Sequence, residues 1–126
     1  MRGVVSADGQ GVKIVRSTEG ETRSIEVSGA RGLTETLLLD YDDGPGNFDL
    51  GYVTLEPGGV SADHEHPWEQ ANFVLAGEGS VFAGGETHEV RAQDFVFTPP
   101  NVRHYFTNGG DEEFVLLCMR GRRSET

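Results

Sequence analysis

Two histidines separated by a single residue, His64 and His66, are the strongest chemical feature of the chain. On an extended segment, side chains two positions apart point to the same face, so both imidazoles can converge on one point. Imidazole nitrogen suits Zn, Cu, Fe and Ni. An isolated pair of this kind is a weak indication of a metal site. A third histidine, His104, joins the pair only if the fold brings it there, whereas His88 lies in a different segment and is expected on the surface.

The elements that must position these histidines are short strands separated by glycine, proline and asparagine turns. Such runs recur at roughly 8–12 residues, which is typical of an all-β sandwich or barrel. One segment, 34–39, is also compatible with a helical turn. The predicted strands cover residues 11–16, 24–27, 34–40, 48–56, 70–75, 80–83, 87–90, 94–98, 104–107 and 113–119.

Length and charge narrow the classes of function. The chain has 126 residues and is expected to form one domain, 1–126, with flexible ends at 1–10 and 121–126. A net charge of −11 disfavours binding to nucleic acids and to anionic membrane surfaces. The first residues lack the apolar stretch of a signal peptide and no apolar run is long enough for a membrane helix, so we expect a cytoplasmic protein. The single cysteine, Cys118, excludes an internal disulfide and is either a buried inert thiol or part of a pocket wall.

Two segments carry a family resemblance. The run GGVSADHEHPWEQ, from Gly58 to Gln70 and continuing to Gly77, resembles the first motif of the cupin superfamily. The run QDFVFTPPNVRH, from Gln93 to His104 and continuing to Asn108, resembles the second motif. The sequence departs from the family pattern at three places. Gln70 replaces the usual acidic ligand, and Gln93 and Asn101 replace glycines, of which the asparagine change is mild because Asn tolerates the left-handed conformation.

The resemblance implies a double-stranded β-helix, or jelly-roll barrel, with a metal ion in its mouth. The ligands carried over from the family are His64, His66, Gln70 and His104. The implied cofactor is one divalent transition metal ion, either Zn, Fe, Mn, Ni or Cu. Glu69 is adjacent to the ligand position, but on a strand it would face away from the histidines. The chain also resembles cupin groups with the same His-His-Gln-His set, one acting on unsaturated uronic sugars and one moving a double bond in an antibiotic precursor.

Other residues are weaker candidates. Glu69 is the candidate general acid or base. Trp68, Asn72, Tyr52 and Phe106 are candidate substrate-pocket residues, and for each the alternative is an ordinary core role.

Three functions remain open from the sequence. Three imidazoles and an amide add no negative charge, so a bound ion would keep its full charge for Lewis-acid chemistry. The first hypothesis is enolisation, isomerisation or ring conversion of a small carbonyl compound. The second is an O₂-dependent dioxygenase reaction at the same metal. The third is a binding module for a metal or small ligand, without turnover. The expected partners are a small-molecule substrate and, by analogy with small cupins that exchange N-terminal strands, a second copy of the chain in a homodimer.

Overall fold

The protein is built almost entirely from antiparallel β-strands that curl into a barrel. The computed structural model describes residues 2–7, 12–43 and 46–121, and only the backbone for 2–7. A single turn of 3₁₀ helix lies at Tyr41–Asp43. The strands are β1 Arg2–Ala7, β2 Lys13–Gly20, β3 Thr22–Ile25, β4 Arg31–Leu39, β5 Phe48–Val60, β6 Gln70–Ala76, β7 Glu78–Ala83, β8 Glu86–Arg91, β9 Phe95–Thr98, β10 His104–Thr107 and β11 Phe114–Gly121.

One long strand organises the sheet. The main sheet runs in the order β8-β7-β10-β5-β11-β6-β9, with β4 also on β5 and β3 on β4. With 13 residues, β5 is long enough to pair with β11 and β4 along most of its length and with β10 at its end. This arrangement curls the sheet and carries β6 and β10, which hold Gln70 and His104, to the same end of the barrel. The strands β1 and β2 form a separate two-stranded sheet.

The inward side chains of β6, β11 and β5 form rows that change from polar to apolar along the barrel. Because alternate residues of a strand share a face, each of the first three rows contains one residue from each strand, and the last contains one from β11 and one from β5. The apolar end is the core, where Leu55, Val74 and Phe114 are fully buried. In order, the rows are Gln70–Arg120–Asp49, Asn72–Cys118–Gly51, Val74–Leu116–Val53 and Phe114–Leu55.

The predicted all-β barrel is confirmed, and the differences are local. Residues 34–39 belong to β4, so the helical alternative was wrong: the β-branched and apolar side chains pair with β5. The strand β1 was not predicted, because that segment was expected to be flexible. The remaining predicted flexible residues at the two ends, apart from Gly121, lie outside the described residues. Within the described part of the chain, no helix is long and apolar enough to cross a membrane.

Several turns of the described residues adopt left-handed backbone conformations, and three of them bear on the sequence analysis. Gly84 and Gly85 have φ of 60° and 85° in the hairpin between β7 and β8, as a tight two-residue hairpin requires. Asn101 has φ 65°, in agreement with its expected tolerance of this region. Gln93, at the other position where the cupin motif has glycine, has φ 80°. Gln93 therefore holds its backbone in a conformation that glycine adopts without strain but that is strained for a residue with a side chain.

We predict that Gln93→Gly raises the free energy of unfolding by about 0.5–1 kcal/mol, because relief of the left-handed strain outweighs the added entropy of the unfolded chain. The midpoint of thermal unfolding should rise by about 2–5 °C. The matched control is Ala92→Gly, one residue earlier at a position without positive φ, which should destabilise the protein by about 0.5–1 kcal/mol. Equal destabilisation by both changes would contradict the strain.

Candidate metal centre

Three imidazole rings meet at the polar end of the barrel. The ring centroids of His64, His66 and His104 are 5.0 Å apart in each pair, and the rings meet edge to face. Their candidate ligand nitrogens all lie within 4.8 Å of one another. His66 and His104 are buried, whereas His64 lies at the exposed rim. The three histidines singled out in the sequence are therefore brought together, and they could hold a metal ion.

Backbone hydrogen bonds join the two chain segments that supply the histidines. His64 and His104 form an isolated antiparallel bridge in which the His104 N–H donates to the His64 carbonyl at 3.0 Å. The N–H of Asn101 donates to the His66 carbonyl at 2.7 Å. Asn101 makes this bond from a left-handed turn. The positions of the rings are thus set by the main chain, before any ligand is considered.

A salt bridge lies on the outer surface where the two histidine-bearing segments meet. Arg103 donates from Nε and Nη2 to the two carboxylate oxygens of Asp63, at 2.8 and 2.7 Å. Its guanidinium also lies 5.2 Å from the centre of the Phe82 ring. The hydrogen bond from Arg103 lowers the pKa of Asp63. Arg103 has the opposite strand parity to His104, and its exposed side chain lies away from the rings.

The hydrogen bonds of two rings fix which nitrogen is available to a ligand. Nδ1 of His66 donates to the carbonyl of Trp68 at 2.8 Å, and Nδ1 of His104 donates to the carbonyl of Val102 at 2.9 Å. Neutral rings with hydrogen on Nδ1 present a bare lone pair at Nε2, which is the arrangement found in metal-ligating histidines.

The amide of Gln70 completes the cluster. Its Oε1 lies 3.3 Å from Nε2 of both His66 and His104, and its Nε2 donates to Oδ1 of Asn72 at 2.9 Å. With the ring hydrogens on Nδ1, no hydrogen lies between Oε1 and the two Nε2 atoms. Electron-pair donors that face one another without a hydrogen fit a cation placed between them. The residues present therefore fit a divalent ion.

The electrostatics of the cluster favour the neutral forms of His64 and His104. Burial lowers the pKa of His104. Although His64 lies at the rim, its ring packs against two others. Desolvation, followed by the charges of His104 and His66, lowers the pKa of His64 to about 4. Neutral imidazole is the form that binds metal, so His64 and His104 are in a suitable form for an ion at neutral pH.

A chain of polar contacts behind Gln70 fixes the direction of its amide. Nδ2 of Asn72 donates to Sγ of Cys118 at 2.6 Å. Burial raises the pKa of the Cys118 thiol to about 11, so the thiol stays protonated. Its sulfur accepts the amide hydrogen through a lone pair. With its Nδ2 so engaged, Asn72 presents Oδ1 to Gln70. Gln70 must then donate through Nε2 and turn Oε1 towards the histidines.

A cavity of about 210 Å³ adjoins the cluster inside the barrel. His64, Gln70 and His104 form its polar side, and Glu35 and Arg120 also line it. Its apolar wall contains Leu33, Val53, Phe106 and Leu116. Cys118 is both buried and part of this wall, so the two alternatives stated for its thiol hold together.

The structure shows which of the weaker candidate site residues line the cavity and which do not. Phe106 lines the cavity. Asn72 is fully buried behind Gln70, and Trp68 stacks on His66 at 4.5 Å rather than lining the cavity. Tyr52 is half-buried and has the opposite parity to Val53, so it faces away. Glu69 is exposed in an outer groove beside Phe97 and Met119, and the structure does not bring it to the histidines.

Sequence reasoning missed Glu35, Asp49 and Arg120. Nε of Arg120 donates to Oδ1 of Asp49, and Nη2 donates to Oε2 of Glu35, both at 2.7 Å. The sequence did contain a signal, because each of these charged residues is an even number of positions from a buried apolar residue of its own strand and so shares its inward face. The pairs are Glu35 with Leu33, Asp49 with Val53, and Arg120 with Leu116. Charged residues at inward positions of adjacent strands, with complementary signs, indicate a buried ion network.

Comparison with known proteins agrees with this geometry. The cupin domain family model matches residues 51–120, which is more than half of the chain, so the chain belongs to the cupin family. Polyketide synthase CurC of Streptomyces cyaneus is 34% identical over 99 residues, covering 77% of this chain and 64% of CurC. Protein SchB of Streptomyces halstedii is 31% identical over 91 residues, covering 71% of this chain and 66% of SchB. The chain thus spans just under two thirds of the length of these curated relatives.

Solved structures show the same barrel. The polyketide cyclase RemF from Streptomyces resistomycificus has a TM-score of 0.81 and 26% identity, covering 91% of this chain and 82% of RemF. A predicted oxalate decarboxylase from Thermotoga maritima has a TM-score of 0.82 and 24% identity, covering 86% of this chain and 98% of that one. At that identity the second likeness concerns the fold alone.

We predict that His104→Ala lowers the metal content of the purified protein well below that of the parent. His88→Ala should leave it unchanged, because His88 is exposed on β8, away from the cluster. Elemental analysis of the two variants measures the difference. Equal loss of metal from both would show that the cluster is not the binding site.

We also predict that Asn72→Leu weakens metal affinity about 10- to 100-fold, the usual effect of removing a residue that orients a ligand. The effect should disappear when Gln70 is already alanine, because Asn72 acts only through that amide. A double-mutant cycle measured by competition with a chelator separates the two contributions. An unchanged loss in the Gln70→Ala background would mean that Asn72 acts by packing.

Proposed function

We propose that this cupin is a metal-dependent enzyme that enolises a small polycarbonyl compound and closes it into a ring. The observation that carries the proposal is the set of hydrogen-free electron-pair donors at Gln70, His66 and His104, facing one another beside a cavity with an apolar wall. The exposed His64 would complete the ligand set at the rim. Such a site can bind and activate a carbonyl group in a place where water is largely excluded.

The donor set suits activation of a carbonyl oxygen. All four residues are neutral, so a divalent ion held by them would keep its charge and act as a Lewis acid on that oxygen. The chain's own part is to orient the donors: the carbonyls of Trp68 and Val102 fix two rings, and Asn72 fixes the amide.

The cavity sets the size and polarity of the substrate. A volume of about 210 Å³ is below the usual range of roughly 300–1,000 Å³ for ligand pockets, so it accommodates one ring or the reacting part of a longer chain. Leu33, Val53 and Leu116 exclude water from that part. With water excluded, electrostatic interactions with the carbonyl group of the substrate are stronger.

The relatives support this reaction class. CurC is named a polyketide synthase and RemF a polyketide cyclase. Because the chain spans only part of CurC, the reaction is carried over as a proposal. In a polyketide-type cyclisation, a carbon between two carbonyls loses a proton and attacks a distant carbonyl carbon. The oxygen of that carbonyl gains a proton, and loss of water then gives an unsaturated ring.

We predict that the metal-loaded protein accelerates conversion of a linear nine-carbon tetraketone, with carbonyls on alternate carbons, to its aromatic aldol product with loss of water. Product is measured by chromatography and mass spectrometry against the uncatalysed reaction. His104→Ala should lose the acceleration, and His88→Ala should retain it.

Two other outcomes would replace the proposal. Oxygen consumption coupled to an oxidised product would favour the dioxygenase. Tight binding of the tetraketone without conversion would favour a binding module. Both readouts can be made in the same samples with an oxygen electrode and by calorimetry.

A further inference from the structure

Two buried carboxylates and a partly buried arginine form an ion network beside the cavity, on a side that the histidines do not occupy. It consists of Glu35 on β4, Asp49 on β5 and Arg120 on β11. Asp49 and Arg120 occupy directly opposite positions on neighbouring strands, and Glu35 reaches Nη2 of Arg120 from a more interior row. Glu35 and Arg120 line the cavity, whereas Asp49 lies behind them.

The glycine at position 51 makes room for this group because it has no side chain. A Cβ at Gly51 would collide with the Glu35 carboxylate and would lie 3.2 Å from Nη2 of Arg120. Gly51 lies between Glu35 and Arg120. Its pairing partners in the neighbouring strands are Cys118 and Leu37. Its lack of a side chain therefore leaves the space in which the Glu35 carboxylate rests against the guanidinium.

The group contains more negative charge than the arginine needs. Asp49 alone neutralises Arg120, so Glu35 places an additional carboxylate in a buried wall, where it is 7% exposed. Burying such a charge costs free energy. Arg120 binds Glu35 through Oε2, which leaves the second oxygen, Oε1, for a group in the cavity.

Elimination among the described lining residues points to the same carboxylate. The lone pairs of His64 and His104 are committed to the candidate metal site. Arg120 has no lone pair to accept a proton, and the thiol of Cys118 has its pKa raised by burial, so it is not a ready base. Glu69 is exposed on the outer surface. Glu35 is the carboxylate that remains on this cavity wall.

We propose that Glu35, held in place by Arg120, is the base that removes the proton from the substrate carbon in the cavity; this inference rests on the proposed function. The carbon–hydrogen bond breaks, the proton moves to Oε1 of Glu35, and the electron pair enters the adjacent carbonyl group to form an enolate. After the carbon–carbon bond forms, the same proton passes from Glu35 to the oxygen of the attacked carbonyl. No oxidant or reductant is needed.

The test is exchange of α-hydrogen for deuterium in D₂O, with acetophenone as a probe of one aromatic ring and one ketone. Exchange is followed by proton NMR, and binding of the ketone is measured separately in the metal-loaded and metal-free proteins. Glu35→Gln should lower the exchange rate about 100-fold or more, the lower end of the usual contribution of a general base. Its metal content, ketone affinity and melting temperature should change little, because Arg120 keeps Asp49 and an amide oxygen as partners.

The matched control is Asp49→Asn, which removes the same charge from the other side of Arg120 without touching the cavity. Its exchange rate should stay within a few-fold of the parent. Glu35→Asp keeps the charge beside Arg120 while shortening the side chain, and it should lose about tenfold, so the proposal remains testable if Glu35→Gln fails to fold.

The outcomes separate this inference from the proposed function. Tetraketone conversion and acetophenone exchange that both survive Glu35→Gln would overturn the role of Glu35 and leave the proposed function standing. Equal losses in Glu35→Gln and Asp49→Asn would show an effect through Arg120 and would also overturn it. Absence of both reactions in the parent protein would overturn the proposed function and, with it, the base.

Discussion

The arrangement of the site depends on one constraint: electron-pair donors are held facing one another with no hydrogen between them. Left alone, Oε1 of Gln70 and the Nε2 atoms of His66 and His104 would repel. Each is prevented from turning by a bond on its other side, to the carbonyls of Trp68 and Val102 and to Asn72. The fold thus bears the cost of bringing them together, and the result is a site that a cation would stabilise.

The interior of the barrel supports this constraint, because its side chains change from polar near the histidines to apolar further along the strands. The row nearest the histidines contains Gln70, Arg120 and Asp49, the next contains Asn72 and Cys118, and the rows beyond are apolar. Each polar group in the first two rows has a partner in the same or the adjacent row, which limits the cost of burial. The apolar end supplies the buried surface that stabilises the sheet. The candidate metal ligands and the apolar core therefore lie towards opposite ends of the barrel.

The sequence predicted the strands and the meeting of three histidines because both follow from local patterns and two family motifs. It also indicated that Asn101 tolerates the left-handed conformation that it adopts. It did not predict Glu35, because a carboxylate at an inward position is recognised only when the register places it beside Arg120. Tyr52 lies outside the lining of this cavity for a related reason. Its parity relative to Val53 decides which way it faces, and only the pairing of β5 shows which face is inside.

The neutral amide at Gln70 and the carboxylate at Glu35 are two parts of one distribution of charge. A carboxylate at position 70 would place negative charge among the ligands and reduce the attraction of a bound ion for a carbonyl oxygen. Here the negative charge that lines the cavity lies instead on Glu35, restrained by Arg120. In the proposed reaction, this separation would let a bound ion withdraw electrons from a carbonyl while Glu35 accepts a proton from the neighbouring carbon. Enolisation requires both operations together, and the rows of this barrel hold the groups for each at a fixed separation.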